Sequence, residues 1–237
     1  MKSLVFDTGP IISMTMNNLL WLLEPLKSKF NGEFYITESV RRELVDRPLQ
    51  TKKFKFEALQ VLKYVSKDVL KVISSNDIEK KAQQLLHLAN NSFKAKGHYI
   101  KVVQYAEMES LAAGITLNSS AIVTDERTTR HLVEKPDHGI DRLQKKLHTN
   151  IDINNDNFNQ FKKEVQELKV IRSVELVTIA YEIGLLDLYT TEKEKEILPD
   201  LRKTLLESVL WGVKLQGCAV STEEIDDIIK LETQLSN

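Results

Sequence analysis

Asp7, Glu43, Glu107 or Glu109, and Asp125 with Glu126 each stand at the edge of an apolar segment of this 237-residue chain. The segments are Val5-Phe6-Asp7-Thr8-Gly9-Pro10, Val40-Arg41-Arg42-Glu43-Leu44, Ala106-Glu107-Met108-Glu109-Ser110-Leu111-Ala112-Ala113 and Ile122-Val123-Thr124-Asp125-Glu126-Arg127. They lie far apart in sequence, so only a fold can bring them together. Gathered, they would line one acidic pocket. Carboxylates at close range resist ionising together unless a cation offsets them, and their hard oxygens suit a divalent one. Each also has a local alternative. Asp7 can cap a helix or form an Asx-turn with Gly9, and Asp125 or Glu126 can act as an N-cap. Glu43 can pair with a neighbouring arginine on a helix surface.

The elements that must position these groups alternate between short apolar runs and helical patterns. Ser3 to Phe6 reads as a buried strand stopped by Asp-Thr-Gly-Pro, with Pro10 in the first turn of a helix. Asn31-Gly32 marks a turn before a second strand at Phe34-Tyr35-Ile36. Thr37 can cap a helix running to about Asp46 and stopped by Pro48. The Lys-rich stretch from Thr51 to Lys67 has helical periodicity, read as a basic amphipathic helix whose Phe54 and Phe56 are core. Val69 to Ile73 is a third strand, and helical patterns follow over Asp77 to Ala95 and Val102 to Leu117. Ala121 to Thr124 is another strand, with a helix beginning at Asp125. The alternation predicts an α/β fold with a parallel sheet. Such sheets collect ligands at the carboxyl ends of their strands, where Asp7 and Asp125 fall.

Within the third segment, Met108, Leu111, Ala112 and Ile115 form one helical stripe. Glu107 and Glu109 flank it, roughly 160° apart, so they do not contribute equally to one pocket. Beyond Asn150 the pattern is mostly helical. Leu147 to Asn154 can add a strand, and Gly184 can end a helix begun near Val174. Leu206, Val209, Leu210 and Val213 mark a buried face, and Ser221-Thr222-Glu223-Glu224 has capping-box spacing.

Composition excludes several classes of function. The formal net charge is −1, so no global basic field draws a polyanion. No apolar run reaches the length of a membrane span. The first residues reach Asp7 too soon for a signal peptide, and Cys218 is the only cysteine; both suit a cytoplasmic protein. His87, His98, His131, His138 and His148 show no zinc spacing with Cys218, which reads as a packed residue rather than a nucleophile. Gly9 and Gly32 do not make a phosphate-cradling loop.

In their order, the acidic motifs resemble the PIN-domain family. A strand ends in Asp-Thr (Leu4-Val5-Phe6-Asp7-Thr8). Thr37-Glu38-Ser39-Val40-Arg41-Arg42-Glu43-Leu44 follows Thr-x-x-Val-x-x-Glu-Leu, an acidic residue precedes an Ala-rich helix, and Thr124-Asp125-Glu126-Arg127 closes the set. The resemblance covers residues 1 to about 135. More loosely, Ser173-Val174-Glu175-Leu176, Ile183-Gly184-Leu185-Leu186 and Gly217-Cys218-Ala219-Val220-Ser221 are similar to the helical tail of one PIN branch. Many relatives carry Asp at the third motif where this chain has Glu; Glu107 fits better than Glu109, because Leu111 and Ala112 then take the family's offsets.

The resemblance implies a three-layer α/β/α fold with a central parallel sheet, followed by a helical C-terminal region. Residues 1–150 would form the nuclease domain and 151–237 a helical extension packed on it. The implied activity is that of a metal-dependent endoribonuclease hydrolysing RNA phosphodiester bonds, with Mg²⁺ or Mn²⁺ as cofactor. Asp7, Glu43, Glu107 and Asp125 would be both catalytic and metal-ligating, with Glu126 a further ligand. Asp7 and Asp125 would ligate directly, Glu43 and Glu107 directly or through water. Thr8 or Thr124 would orient a carboxylate or a phosphate.

Arg41, Arg42, Arg127 and Arg130 could grip phosphates or pair locally. Lys52, Lys53 and Lys55, interleaved with Phe54 and Phe56, could instead bind single strands by charge and stacking. Implied partners are RNA, a second copy of the chain in a homo-oligomer, and an antitoxin or other protein, with no membrane. Three other readings stay open: a catalytically inactive PIN-like module binding RNA or protein, a toxin-type nuclease held by an antitoxin, and a helical interaction protein whose acidic motifs are only caps.

Overall fold

The structure is a computed structural model that describes residues 2–135, 149–190, 192–198 and 200–235, together with 144. In chain order its elements are β1 (Ser3–Phe6), α1 (Thr8–Met16), α2 (Leu23–Phe30), β2 (Glu33–Thr37), α3 (Glu38–Arg41), a π-helical turn (Arg42–Asp46), α4 (Arg47–Leu49), α5 (Lys55–Ser66), β3 (Lys71–Ile73) and α6 (Asn76–Asn90). Then come β4 (Phe93–Ala95), β5 (His98–Tyr99), α7 (Tyr105–Leu117), β6 (Ala121–Val123), α8 (Arg127–Glu134), β7 (Ile151–Ile153), α9 (Asn155–Val165) and β8 (Val170–Ile171). The chain ends in α10 (Ser173–Glu182), α11 (Glu192–Ile197), α12 (Leu201–Leu215) and α13 (Thr222–Leu235).

Five strands form a parallel sheet in the order β3-β2-β1-β6-β8. All four residues of β1 are buried, as a strand covered on both faces requires. Its side chains alternate. Leu4 and Phe6 enter one core with Ile11, Leu23, Val174, Leu206 and Ile225, while Val5 enters a second with Ile78, Met108, Leu111 and Phe161. Helices thus cover both faces, giving the three-layer α/β/α arrangement, with the C-terminal helices α10, α12 and α13 on the first face. The fifth strand, β8, lies beyond residue 150, so the sheet itself draws on the C-terminal region. No described helix is long and apolar enough to cross a membrane.

Several local expectations are corrected. Pro48 does not stop the helix that starts at Glu38. Helical structure runs through it to Leu49, and the turn before it widens to π. Proline has no N–H to give the carbonyl one α-turn back, so the α-helical ladder cannot continue there unchanged. The helix expected to reach Ala95 ends at Asn90, and β4 and β5 form a hairpin around Lys96 and Gly97. Both turn residues have positive φ, 50° and 83°, as a two-residue hairpin turn of matching twist needs. The helix expected from Thr51 begins at Lys55, and Phe54 and Phe56 are 56% and 70% exposed rather than core. Of the strand expected over Leu147 to Asn154, Ile151–Ile153 is formed, pairing with β4 in a second, antiparallel sheet. Its first residues, Leu147 and His148, lie outside the described residues, as does His138.

Candidate active site

β2, β1 and β6 are adjacent parallel strands, so their carboxyl ends share one edge of the sheet. The chain leaves β1 for β2 on one side and later returns to β6 on the other. A crevice opens where strand order reverses in this way. Asp7 follows β1 directly, and its backbone N–H donates to the Val123 carbonyl at 2.9 Å, which fixes its Cα beside Thr124. Gly9 favours this close approach: a Cβ there would lie 3.3 Å from the Cβ of Asp125, a tight contact.

Each carboxylate is held by a specific donor. Thr124 Oγ1 donates to Asp7 Oδ2 at 2.9 Å, and Thr8 Oγ1 donates to Glu43 Oε2 at 2.8 Å. Glu43 rides on the π turn, with Arg47 Nη1 3.9 Å from its other oxygen. Glu107 Oε2 accepts from the Gln104 N–H at 3.2 Å and from Thr129 Oγ1 at 3.0 Å, tying the first turn of α7 to α8. Glu126 is the N-cap of α8, accepting from the Thr128 N–H at 3.2 Å; the helix expected from Asp125 therefore starts two residues later, at Arg127. Asp125 is instead a buried anchor. Its Oδ1 accepts the Ser173 N–H at 2.8 Å, and its Oδ2 accepts Ser13 Oγ at 2.9 Å and Ser173 Oγ at 2.8 Å. Glu109 points elsewhere, buried and accepting from the Ser39 N–H at 3.0 Å at the start of α3. The opposed directions of Glu107 and Glu109 follow from helical phase.

Asp7, Glu43, Glu107, Asp125 and Glu126 line one pocket of about 220 Å³, with Thr8, Gly9, Ile12, Gln104, Ala106, Gln216 and Gly217. None of these lining residues is basic. Burial, with the nearby charges of Glu43 and Asp125, pushes the Asp7 carboxyl up to about 6 against the Thr8 N–H and the Thr124 hydroxyl. Burial and the charge of Asp7, then Glu126, push Glu107 up to about 7 against its Gln104 and Thr129 bonds. Gln104 and Gln216 carried no signal in the sequence, because a glutamine in a polar stretch is indistinguishable from any surface residue; Gly217 stood only in the loosely matched tail motif.

Two of the candidate arginines, Arg41 and Arg130, have local partners. Arg41 bonds Asp46 at 3.1 Å and lies 3.4 Å from Glu38; Arg130 lies 3.8 Å from Glu134. The Cys218 thiol is buried and pushed up to about 12 by that burial and by Asp125, so it is no nucleophile at neutral pH.

Among the described residues, no three His, Cys, Asp or Glu side chains are gathered tightly enough to hold a metal ion as they stand. Hydroxyls and amides hold the carboxylates apart. A hard ion that keeps most of its waters and takes one or two carboxylates directly does not need a closed cage. Five carboxyl groups facing one pocket without a basic residue, two of them with raised pKa, fit such an ion.

An α/β/α layer arrangement with carboxylates collected at the carboxyl edge of its parallel sheet defines the class. A family model described as a PIN domain (DUF3368) matches residues 3–138, more than half of the chain, and the chain belongs to that family. PIN domains are generally nucleases. Among curated proteins, none matches the chain.

Proposed function

We propose that this PIN-domain protein is a metal-dependent endoribonuclease that hydrolyses RNA phosphodiester bonds in the acidic pocket with Mg²⁺ or Mn²⁺. The observation that carries this reading is the set of five carboxylates facing one pocket with no basic residue, two of them kept above the usual carboxylate range. Asp7 would hold the cation, with Glu43, Glu107 and Glu126 facing it in the same pocket. Asp125, expected from sequence to ligate directly, has both oxygens occupied by Ser13 and Ser173, so we assign it to positioning the β6 edge. Bound here, a divalent ion supplies charge neutralisation at the scissile phosphate and makes water acidic enough to attack near neutral pH. Thr124 keeps the Asp7 carboxylate aimed, and Thr8 does the same for Glu43. Gln104 and Gln216 supply neutral hydrogen-bonding groups at the pocket wall, which an anionic substrate tolerates.

The two glutamates of α7 give a matched test. In cleavage of an end-labelled RNA with Mg²⁺ or Mn²⁺, Glu107→Gln should lower the rate by about ten- to a hundredfold, the usual effect of losing an outer partner of a metal site. Glu109→Gln keeps an acceptor for the Ser39 N–H and should stay close to wild type. Equal loss in both variants, with both folded, would remove Glu107 from the proposed site.

A further inference from the structure

A second hollow, of about 270 Å³, lies beside the acidic pocket and shares Ile12, Glu43 and Gln216 with it. Its walls are otherwise mainly apolar: Met16, Leu44, Pro48, Phe54 and Val61, with Glu57 as a further carboxylate. Ile12, Met16 and Phe54 are 41%, 40% and 56% exposed and line the same hollow, so they form an apolar patch rather than scattered surface residues. Phe54 also sits in the left-handed region, at φ 61° and ψ 17°, where a bulky residue is strained. Such strain persists where the surrounding structure enforces it, and it gathers at binding sites. Lys52, Lys53 and Lys55 are exposed on either side of Phe54 in the chain.

We propose that this hollow is a base-binding subsite for single-stranded RNA, with the Phe54 ring stacking on the base next to the cleaved phosphate. The inference rests on the nuclease reading and deepens it. Two observations select the occupant. The hollow shares walls with a pocket proposed to take a phosphate and its cation, so one ligand spanning both needs a flat apolar part joined to an anionic part. The three exposed lysines that flank Phe54 in the chain carry positive charge, which favours a nucleic-acid backbone. Stacking on an exposed aromatic ring tolerates any base, so the subsite fixes the strand's path rather than its sequence. The hollow is slightly below the roughly 300–1,000 Å³ of drug-sized sites, which suits a single base.

The test is fluorescence anisotropy with the full-length protein, using Ca²⁺ in place of Mg²⁺ so that binding is read apart from cleavage. The probes are a labelled short single-stranded RNA and an abasic strand of equal length. Phe54→Leu, which keeps an apolar side chain but no flat face, should weaken binding of the base-bearing strand about tenfold and leave the abasic strand unchanged. Phe54→Trp should restore it. Replacing Lys52, Lys53 and Lys55 together by Gln should weaken both strands alike and flatten the salt dependence. Equal binding of the base-bearing and abasic strands by wild type, equal loss on both strands with Phe54→Leu, or no binding of either strand would overturn the proposal. So would a wild-type dimer that Phe54→Leu converts to monomer in sedimentation, since the face would then seat a second copy. Base-selective binding without any metal-dependent cleavage would sink the nuclease reading and leave the subsite standing.

Discussion

Replacing Asp7 by Asn should give a protein that melts higher than wild type in metal-free buffer and does not cleave RNA. Both effects come from one side chain. Asp7 is 5% exposed, and its carboxyl is raised from 3.8 to about 6, chiefly by burial and further by Glu43 and Asp125. The fold therefore favours the protonated form. Its contribution is fully present below the unfolded value and is lost as pH rises through about 6, so at neutral pH the ionised group works against folding. Asparagine mimics the neutral form and still offers an oxygen to Thr124. The gain should be on the order of 2–3 kcal/mol above about pH 7, roughly 4–12 °C in a chain of this size, and should vanish near about pH 4. Cleavage should fall by more than about a hundredfold, the upper end of what losing even an outer partner costs a metal site. Thermal melts in a chelator across that pH range, with a cleavage assay alongside, check both parts. A variant that melts lower at every pH would show that the Asp7 charge is structural.

Asp125→Ala should move stability in the opposite direction. Its oxygens accept from Ser13 Oγ, Ser173 Oγ and the Ser173 N–H, all buried, so removing them strands three donors at once. Each hydrogen bond to a charged acceptor contributes about 1.5–3 kcal/mol, and the loss should total at least about 3 kcal/mol, with or without metal. Ser173→Ala removes one of these donors and should cost about 1–2 kcal/mol. Urea unfolding followed by circular dichroism measures both. Because Ser173 opens α10, directly after β8, the Asp125 network joins the end of β6 to the C-terminal region. The Ala219 N–H, at 3.1 Å from the Asp125 carbonyl, and Arg172, bonded to Glu175, Glu224 and the Ala219 carbonyl, reinforce that junction. Wild-type stability in Asp125→Ala would mean that the junction does not depend on this carboxylate. The two aspartates occupy equivalent strand ends, yet one is a buried charge short of donors and the other is saturated with them.

That difference marks where the sequence stops being informative. The parallel sheet and the strand-end positions of Asp7 and Asp125 follow from apolar runs ending in Asp, because a carboxylate is costly to bury inside a strand covered on both faces. The separation of Glu107 from Glu109 follows from helical phase alone. What surrounds Asp125 does not follow, since it depends on β8 and α10 returning to β6 about fifty residues later in the chain. No local pattern distinguishes an aspartate facing solvent from one facing Ser173. The exposure of Phe54 and Phe56 was hidden by the helical periodicity of the whole stretch from Thr51 to Lys67, whereas the left-handed backbone at Phe54 delays the helix to Lys55. The hairpin at Lys96 and Gly97 was masked in the same way by the helical pattern before it.

The central claim is that the acidic pocket uses a divalent cation held by Asp7 to hydrolyse RNA. Its most direct measurement is cleavage of an internally labelled single-stranded RNA by wild type and Asp7→Asn, each titrated with Mn²⁺ and each repeated in a chelator. Wild type should cleave with saturable dependence on Mn²⁺ and stop in the chelator, while folded Asp7→Asn stays inactive at every concentration. Cleavage by wild type that survives the chelator, or equal cleavage by Asp7→Asn, would contradict the account.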